Sequence, residues 1–195
     1  MAYSGAFFYD HSEVFKTYIT RRQQLTSANE TLEKPILLEL MEVVTEQDVL
    51  DLGCGQGEIA QWLLANGCQS YWGIDASQNM IKIAQKSLKN TDAKIERGFI
   101  ETWDYPLHQF DLVISRLAFH YIENVEPVFK KIYHSLRAKG RFIFSVEHPV
   151  MTSHQLSMKA GGVRQDWVVD RYFVTGQRTY PWLGVDVIKY HRTIE

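Results

Sequence analysis

Apolar positions along the chain follow two rhythms. Between about 48 and 148, short runs of strand type alternate with stretches spaced three and four apart. DVLDLG, SYWGID, AKIERGFI, FDLVIS and RFIFSVEHP read as strands, the last closed by Pro149. The intervening segments read as helices. EIAQWLLAN carries Ile59, Trp62 and Leu63 and stops at Gly67. Ser77 caps a helix with Met80, Ile81, Ala84 and Leu88 on one side. NVEPVFKKIYHSLRAKG is the plainest helix, with Asn124 as cap, Pro127 in the first turn, an apolar face through Val125, Val128, Phe129, Ile132 and Leu136, and Gly140 as its end.

The flanks differ. Residues 1–45 look helical. Asp10 and Glu13 have the polarity of a capping box before Val14, Phe15 and Tyr18. Thr31 and Pro35 open a second helix with Leu37, Leu38, Leu40, Met41 and Val44. After 149 the rhythm is lost. Gly161 and Gly162 precede WVVDRYFV, TGQRTYPWLG and VDVIKYHRT, whose β-branched and aromatic content favours extended pieces. Strand–helix alternation predicts an α/β fold, a doubly wound and mostly parallel sheet with helices on both faces. Ligands of such sheets sit beyond the carboxyl ends of the strands, where strand order reverses.

Composition narrows the class. The 195 residues fit one domain: an N-terminal helical lid (1–45), a binding core (46–148) and a substrate-side segment (149–195). A net charge of -2 supplies no field for nucleic acid, and no run suits a membrane span. Cys54 and Cys68 make neither a zinc site nor a disulfide framework, and the start is not a signal peptide, so a cytoplasmic home is expected. Lys82, Lys86 and Lys89 read as a solvated helix face, and Trp62 and Trp72 as core.

The chemistry centres on Asp51-Leu52-Gly53-Cys54-Gly55-Gln56-Gly57, between the first core strand and its helix. Glycines there permit positive φ and close approach of a ligand to the backbone. Asp75 ends the next strand at the offset expected of an acid that accepts from ribose hydroxyls. The ligand class is a nucleoside. The spacing is G-x-G-x-G, whereas dinucleotide sites use G-x-G-x-x-G. Asp51 before the loop would repel a pyrophosphate and attract an ammonium or sulfonium.

LDLGCGQGE, WGIDAS and FDLVISRLAFHYIEN together resemble the class I S-adenosylmethionine-dependent methyltransferases, whose fold is Rossmann-like. SVEHP and DRYFVTGQRTYPWLGVDVIKYHRT resemble a bacterial small-molecule subgroup of them. The resemblance implies a loop of Gly53, Gly55 and Gly57 around the methionine part, Asp51 near its ammonium, Asp75 on the ribose and Ala76 beside the adenine. The backbone at Ser115 and Arg116 would face the methionyl portion. Where the family often has Gly-Asp after the third strand, this chain has Gly98-Phe99-Ile100, so Phe99 and Ile100 would offer apolar contact to the base. S-adenosylhomocysteine would be the product.

The expected activity is in-line methyl transfer to a small molecule, with alignment and exclusion of water as the protein's part. His120 and His148 are the candidate bases, with Tyr121 and Glu147 beside them. A packed, structural His120 is an equal alternative. His191 and Arg192 read as an exposed strand end more than as substrate contacts. Tyr9, Tyr18 and Arg21 either close over the site or pack on the sheet edge. The alternatives to the enzyme are a non-catalytic cofactor-binding module and a nicotinamide-dependent oxidoreductase. The family's closing C-terminal hairpin is not read in this chain, and an uncovered edge strand predicts a homodimer or reduced stability.

Overall fold

The computed structural model describes residues 2–22, 27–153 and 169–194. Five strands form the central sheet: β2 (Asp48–Leu52), β3 (Ser70–Asp75), β4 (Lys94–Arg97), β5 (Phe110–Arg116) and β6 (Leu136–Ser145). Their order is β4-β3-β2-β5-β6, and every neighbouring pair is parallel. Strand order reverses between β2 and β5. Alternate β2 residues face opposite cores. Val49 packs with Leu37 and Met41 of α3 (Lys34–Met41) and with Ile59 and Leu63 of α4 (Glu58–Ala65). Leu50 and Leu52 pack on the other face with Val128 and Ile132 of α6 (Glu126–Ser135). Both faces are covered, which is why the strands read as continuous apolar runs. Each fully buried Leu or Ile contributes about 1.5–3 kcal/mol.

A second sheet lies outside this core. β1 (Ala2–Ser4) pairs parallel with β8 (Val185–His191), which pairs antiparallel with β7 (Gly176–Trp182). The N-terminal zone is therefore not purely helical. β1 leads into α1 (Gly5–Asp10) and α2 (Ser12–Arg22), and Phe8, Val14 and Val187 form the small core that joins them to the sheet. β7 and β8 are the extended pieces expected after 149; they join this second sheet, and β6 stays at the edge of the central one. Gly161 and Gly162, and the start of WVVDRYFV, lie outside the described residues.

Two local readings are corrected. Asp10 and Glu13 do not form a capping box. Asp10 closes α1, and its carboxylate accepts from the Ser77 hydroxyl (2.7 Å) and the Gln78 and Asn79 amides (3.2 and 3.0 Å) at the start of α5 (Gln78–Ser87). Burial opposes the charge, but these bonds, Ser77 foremost, hold the Asp10 carboxyl below the usual range. Asp10 thus caps a helix on another element and ties the N-terminal segment to the β3–α5 junction. Asp10→Ala is expected to cost about 1–2 kcal/mol, read as a lower urea midpoint; an unchanged midpoint would count against the tie.

Helix α6 stops at Ser135, short of Gly140. Leu136 is already extended and pairs with Phe110, while a register shift brings Arg141 opposite Leu112. Arg137 fixes the early exit with ion pairs to Asp48 (2.8 Å) and Asp111 (2.6 Å). The left-handed turn falls on Lys139 (φ 66°).

Candidate functional site

A cleft of about 530 Å³ opens over the carboxyl ends of β2, β3 and β5, at the strand-order reversal. Its floor is the glycine loop. Gly53 (φ 79°) and Gly57 (φ 76°) are left-handed, and each is also pressed against a neighbour: a Cβ would lie 2.7 Å from Ala118 Cβ at the first and 2.8 Å from a Leu88 methyl at the second. Gly55 is also left-handed, and a Cβ on it would meet open space, so this backbone borders room for a ligand. Gly57 precedes α4 and does not line the cleft.

Two acids flank the loop. Asp75 accepts the Gly55 amide at one oxygen (3.0 Å) and the Ser77 amide at the other (2.8 Å). Two acceptor positions therefore remain for a vicinal diol. Burial pushes its pKa up to about 6, against those bonds. Asp51 is buried and accepts the Tyr71 hydroxyl (2.7 Å). Burial pushes it up to about 7, against the Tyr71 bond and the Arg116 charge. Cys54 is a cleft residue whose thiol burial keeps protonated.

The other expected contacts divide. Ala76, Phe99 and Ile100 line the cleft, and Phe99 packs near Phe7 with ring centroids 6.4 Å apart. Arg116 lines it too, held by Glu33 (2.6 Å) and the Asn29 carbonyl (3.2 Å), both from a π-helical segment, Asn29–Glu33. Ser115 is fully buried outside it; its hydroxyl donates to the Leu52 carbonyl (2.7 Å) and ties β5 to β2 behind the loop.

His120 lines the cleft on a 3₁₀ turn, Phe119–Tyr121. Burial lowers its pKa to about 4, helped by Lys189 and Arg192 and opposed by Glu147. It is a neutral imidazole, and its Nδ1 accepts the Glu147 amide at 3.5 Å. His148 does not line the cleft. It is exposed, and its Nδ1 accepts the Val150 amide at the start of α7 (Pro149–Ser153). Its neighbour Glu147 faces the cleft instead and pairs with Lys189. His191 is no exposed end. It is fully buried, between Thr152 Oγ1 (2.8 Å) and the Tyr172 carbonyl (2.7 Å). Arg192 binds carbonyls of the His120 turn and of Ile122 and Glu123, so β8 is bolted to that turn.

Tyr9 and Tyr18 line the cleft with Tyr121 and Trp182, so the N-terminal zone and the small sheet roof it. Arg21 is exposed and takes no part. Trp182, Asn29 and Met151 are cleft residues with no local signal, because each arrives from a distant part of the chain. Among the described residues no helix is long and apolar enough to cross a membrane, and no cluster suits a metal ion.

Comparison with known proteins identifies the family. A family model described as a methyltransferase domain matches residues 50–144. An uncharacterized protein of Haemophilus influenzae is 32% identical over 195 residues, which cover 95% of this chain and 77% of that protein. The structure of an S-adenosylmethionine-dependent methyltransferase from Mesorhizobium loti is 32% identical, with TM-score 0.75 over 87% of this chain and 76% of that one. A Listeria monocytogenes structure described as a candidate for the same activity is 36% identical, with TM-score 0.76 over 83% and 74%.

Proposed function

The chain belongs to the class I S-adenosylmethionine-dependent methyltransferases, and from that premise we propose that it methylates a small molecule held between the glycine loop and the aromatic roof. One observation carries the reading: two buried carboxylates flank a left-handed glycine loop that borders open space. That donor set fits a nucleoside bearing an ammonium and a sulfonium, and not a diphosphate. The nicotinamide alternative loses its ground with the family.

When bound, the cofactor supplies a methyl group already activated on sulfur. The residues of the chain bind and align. Asp75 accepts the ribose hydroxyls at its two remaining positions, and Asp51 faces the ammonium. Gly53, Gly55 and Gly57 shape the loop. Ala76, Phe99 and Ile100 flank the base. Ser115 fixes the spacing of β2 and β5 behind it, and the Arg116 backbone borders the methionyl portion. His120 stays neutral at physiological pH and lines the acceptor end, where burial suits it to orient more than to take a proton. His148, outside the cleft, has no role in this reading.

Titration with S-adenosylmethionine should show one calorimetric site, and its affinity should depend on pH. In the unfolded chain both aspartates titrate near 4. Folding raises them, so the stability they lend below about pH 4 is lost as pH rises through about 6 and about 7. Cofactor binding needs the ionised forms and follows the opposite sense. Affinity should fall on acidification from about pH 8 to about pH 5.5, approaching about tenfold per pH unit for each carboxylate below its pKa. A pH-independent affinity would remove both acids from the site, and the absence of heat would remove the cofactor. Turnover over an acceptor panel separates the enzyme from a non-catalytic binding module.

A further inference from the structure

The acceptor end of the cleft has a shape and a charge that narrow the substrate. Tyr9, Tyr18 and Trp182 meet as three nearly perpendicular rings: Tyr9 and Tyr18 at 4.9 Å and 74°, Tyr18 and Trp182 at 6.1 Å and 82°, Tyr9 and Trp182 at 6.2 Å and 85°. All three line the cleft. Phe8 stacks on Trp182 (4.8 Å, 3°), and the ring faces that remain uncovered offer π-electron density, which attracts a cation.

The surrounding charge has the same sense. Asp51, Glu58, Asp75, Glu101 and Glu147 line the cleft, and Arg116 is the one Lys or Arg among the described lining residues. The Arg116 guanidinium is already paired with Glu33. His120 adds no positive charge. The fold also uses this aromatic surface to hold an ammonium of its own. Lys189 Nζ lies 5.3 Å from the Trp182 ring centroid and 5.7 Å from that of Tyr121, and it pairs with Glu147. Lys189 does not line the cleft, and Glu147 cancels its charge.

Resting on the reading of this cleft as a methyl-transfer site, we propose that the acceptor is an amine, its nitrogen seated in the corner of Tyr9, Tyr18 and Trp182. The nitrogen lone pair forms the N–C bond as the S–C bond breaks, and that electron pair stays on sulfur. The positive charge moves from sulfur to nitrogen and remains in a negative, ring-lined cleft. A primary or secondary amine then releases a proton to water. A carboxylate or phosphate acceptor would instead find no unpaired Lys or Arg among the described lining residues, with Glu101 beside it.

Three probes of one size test this: choline, its uncharged isostere 3,3-dimethylbutan-1-ol, and the anion 3,3-dimethylbutanoate. Each is titrated calorimetrically into the full chain loaded with S-adenosylhomocysteine. Choline should bind at least about tenfold more tightly than the alcohol, and the anion most weakly. Trp182→Leu should reduce that preference several-fold while affinity for S-adenosylhomocysteine is retained. Tyr18→Leu gives the same reading should Trp182→Leu fail to fold. Equal binding of choline and the alcohol, tighter binding of the anion, or no choline binding overturns the amine assignment. Failure of S-adenosylhomocysteine itself to bind the wild-type chain would overturn the parent reading instead.

Discussion

Gly53→Ala is expected to destabilise the protein by about 2–5 kcal/mol and to abolish cofactor binding. Two costs add. A left-handed alanine costs about 1–2 kcal/mol in backbone strain. Overpacking costs a further 1–3 kcal/mol or so, because the new Cβ would sit 2.7 Å from Ala118 Cβ, an atom with no rotamer to change. Relief requires the ends of β2 and β5 to part, and that is where the cleft floor lies. Gly55→Ala is the control. It shares the left-handed backbone (φ 55°) but meets open space, so it should pay only the backbone strain while still losing affinity, since its methyl enters the cleft. Urea unfolding of both variants decides the point. Equal midpoints would mean that the β2–β5 contact at Gly53 is not tight.

Asp75→Ala should weaken S-adenosylmethionine binding by about 1–3 kcal/mol, or roughly 5- to 150-fold, with the fold intact. The substitution removes both diol acceptors and leaves the Gly55 and Ser77 amides without their partner. The effect should be specific to the sugar. Wild-type protein should prefer adenosine to its 2′,3′-dideoxy analogue, and the variant should bind the two alike. If calorimetry found the preference intact in Asp75→Ala, the ribose assignment would be wrong.

The central sheet and the glycine loop were legible because their signals are local. A buried parallel strand writes itself as an apolar run, and the loop needs its glycines within seven residues. What the sequence hid was placement across distance. Ala2–Ser4 carries no strand signal of its own, because its partner is Val185–His191. Asp10 has the look of a local helix cap, yet its carboxylate serves α5. The confusion of His148 with Glu147 is one of parity. Adjacent residues of an extended chain face opposite ways, so a shift of one position exchanges a cleft residue for an exposed one. The same alternation buries Val187, Lys189 and His191 together on one side of β8, where a terminal segment read as exposed.

The roof over the cleft has a history that its floor lacks. The five strands of the floor come from one contiguous stretch, while β1 waits for a partner made near the far end of the described chain. On the ribosome, Phe8 and Tyr9 emerge before the floor strands, while β8 and Trp182 beside them emerge after those strands. The floor can therefore assemble in full while Phe8 and Tyr9 are still exposed, and a growing chain must keep them from the wrong neighbours until Trp182 has been made.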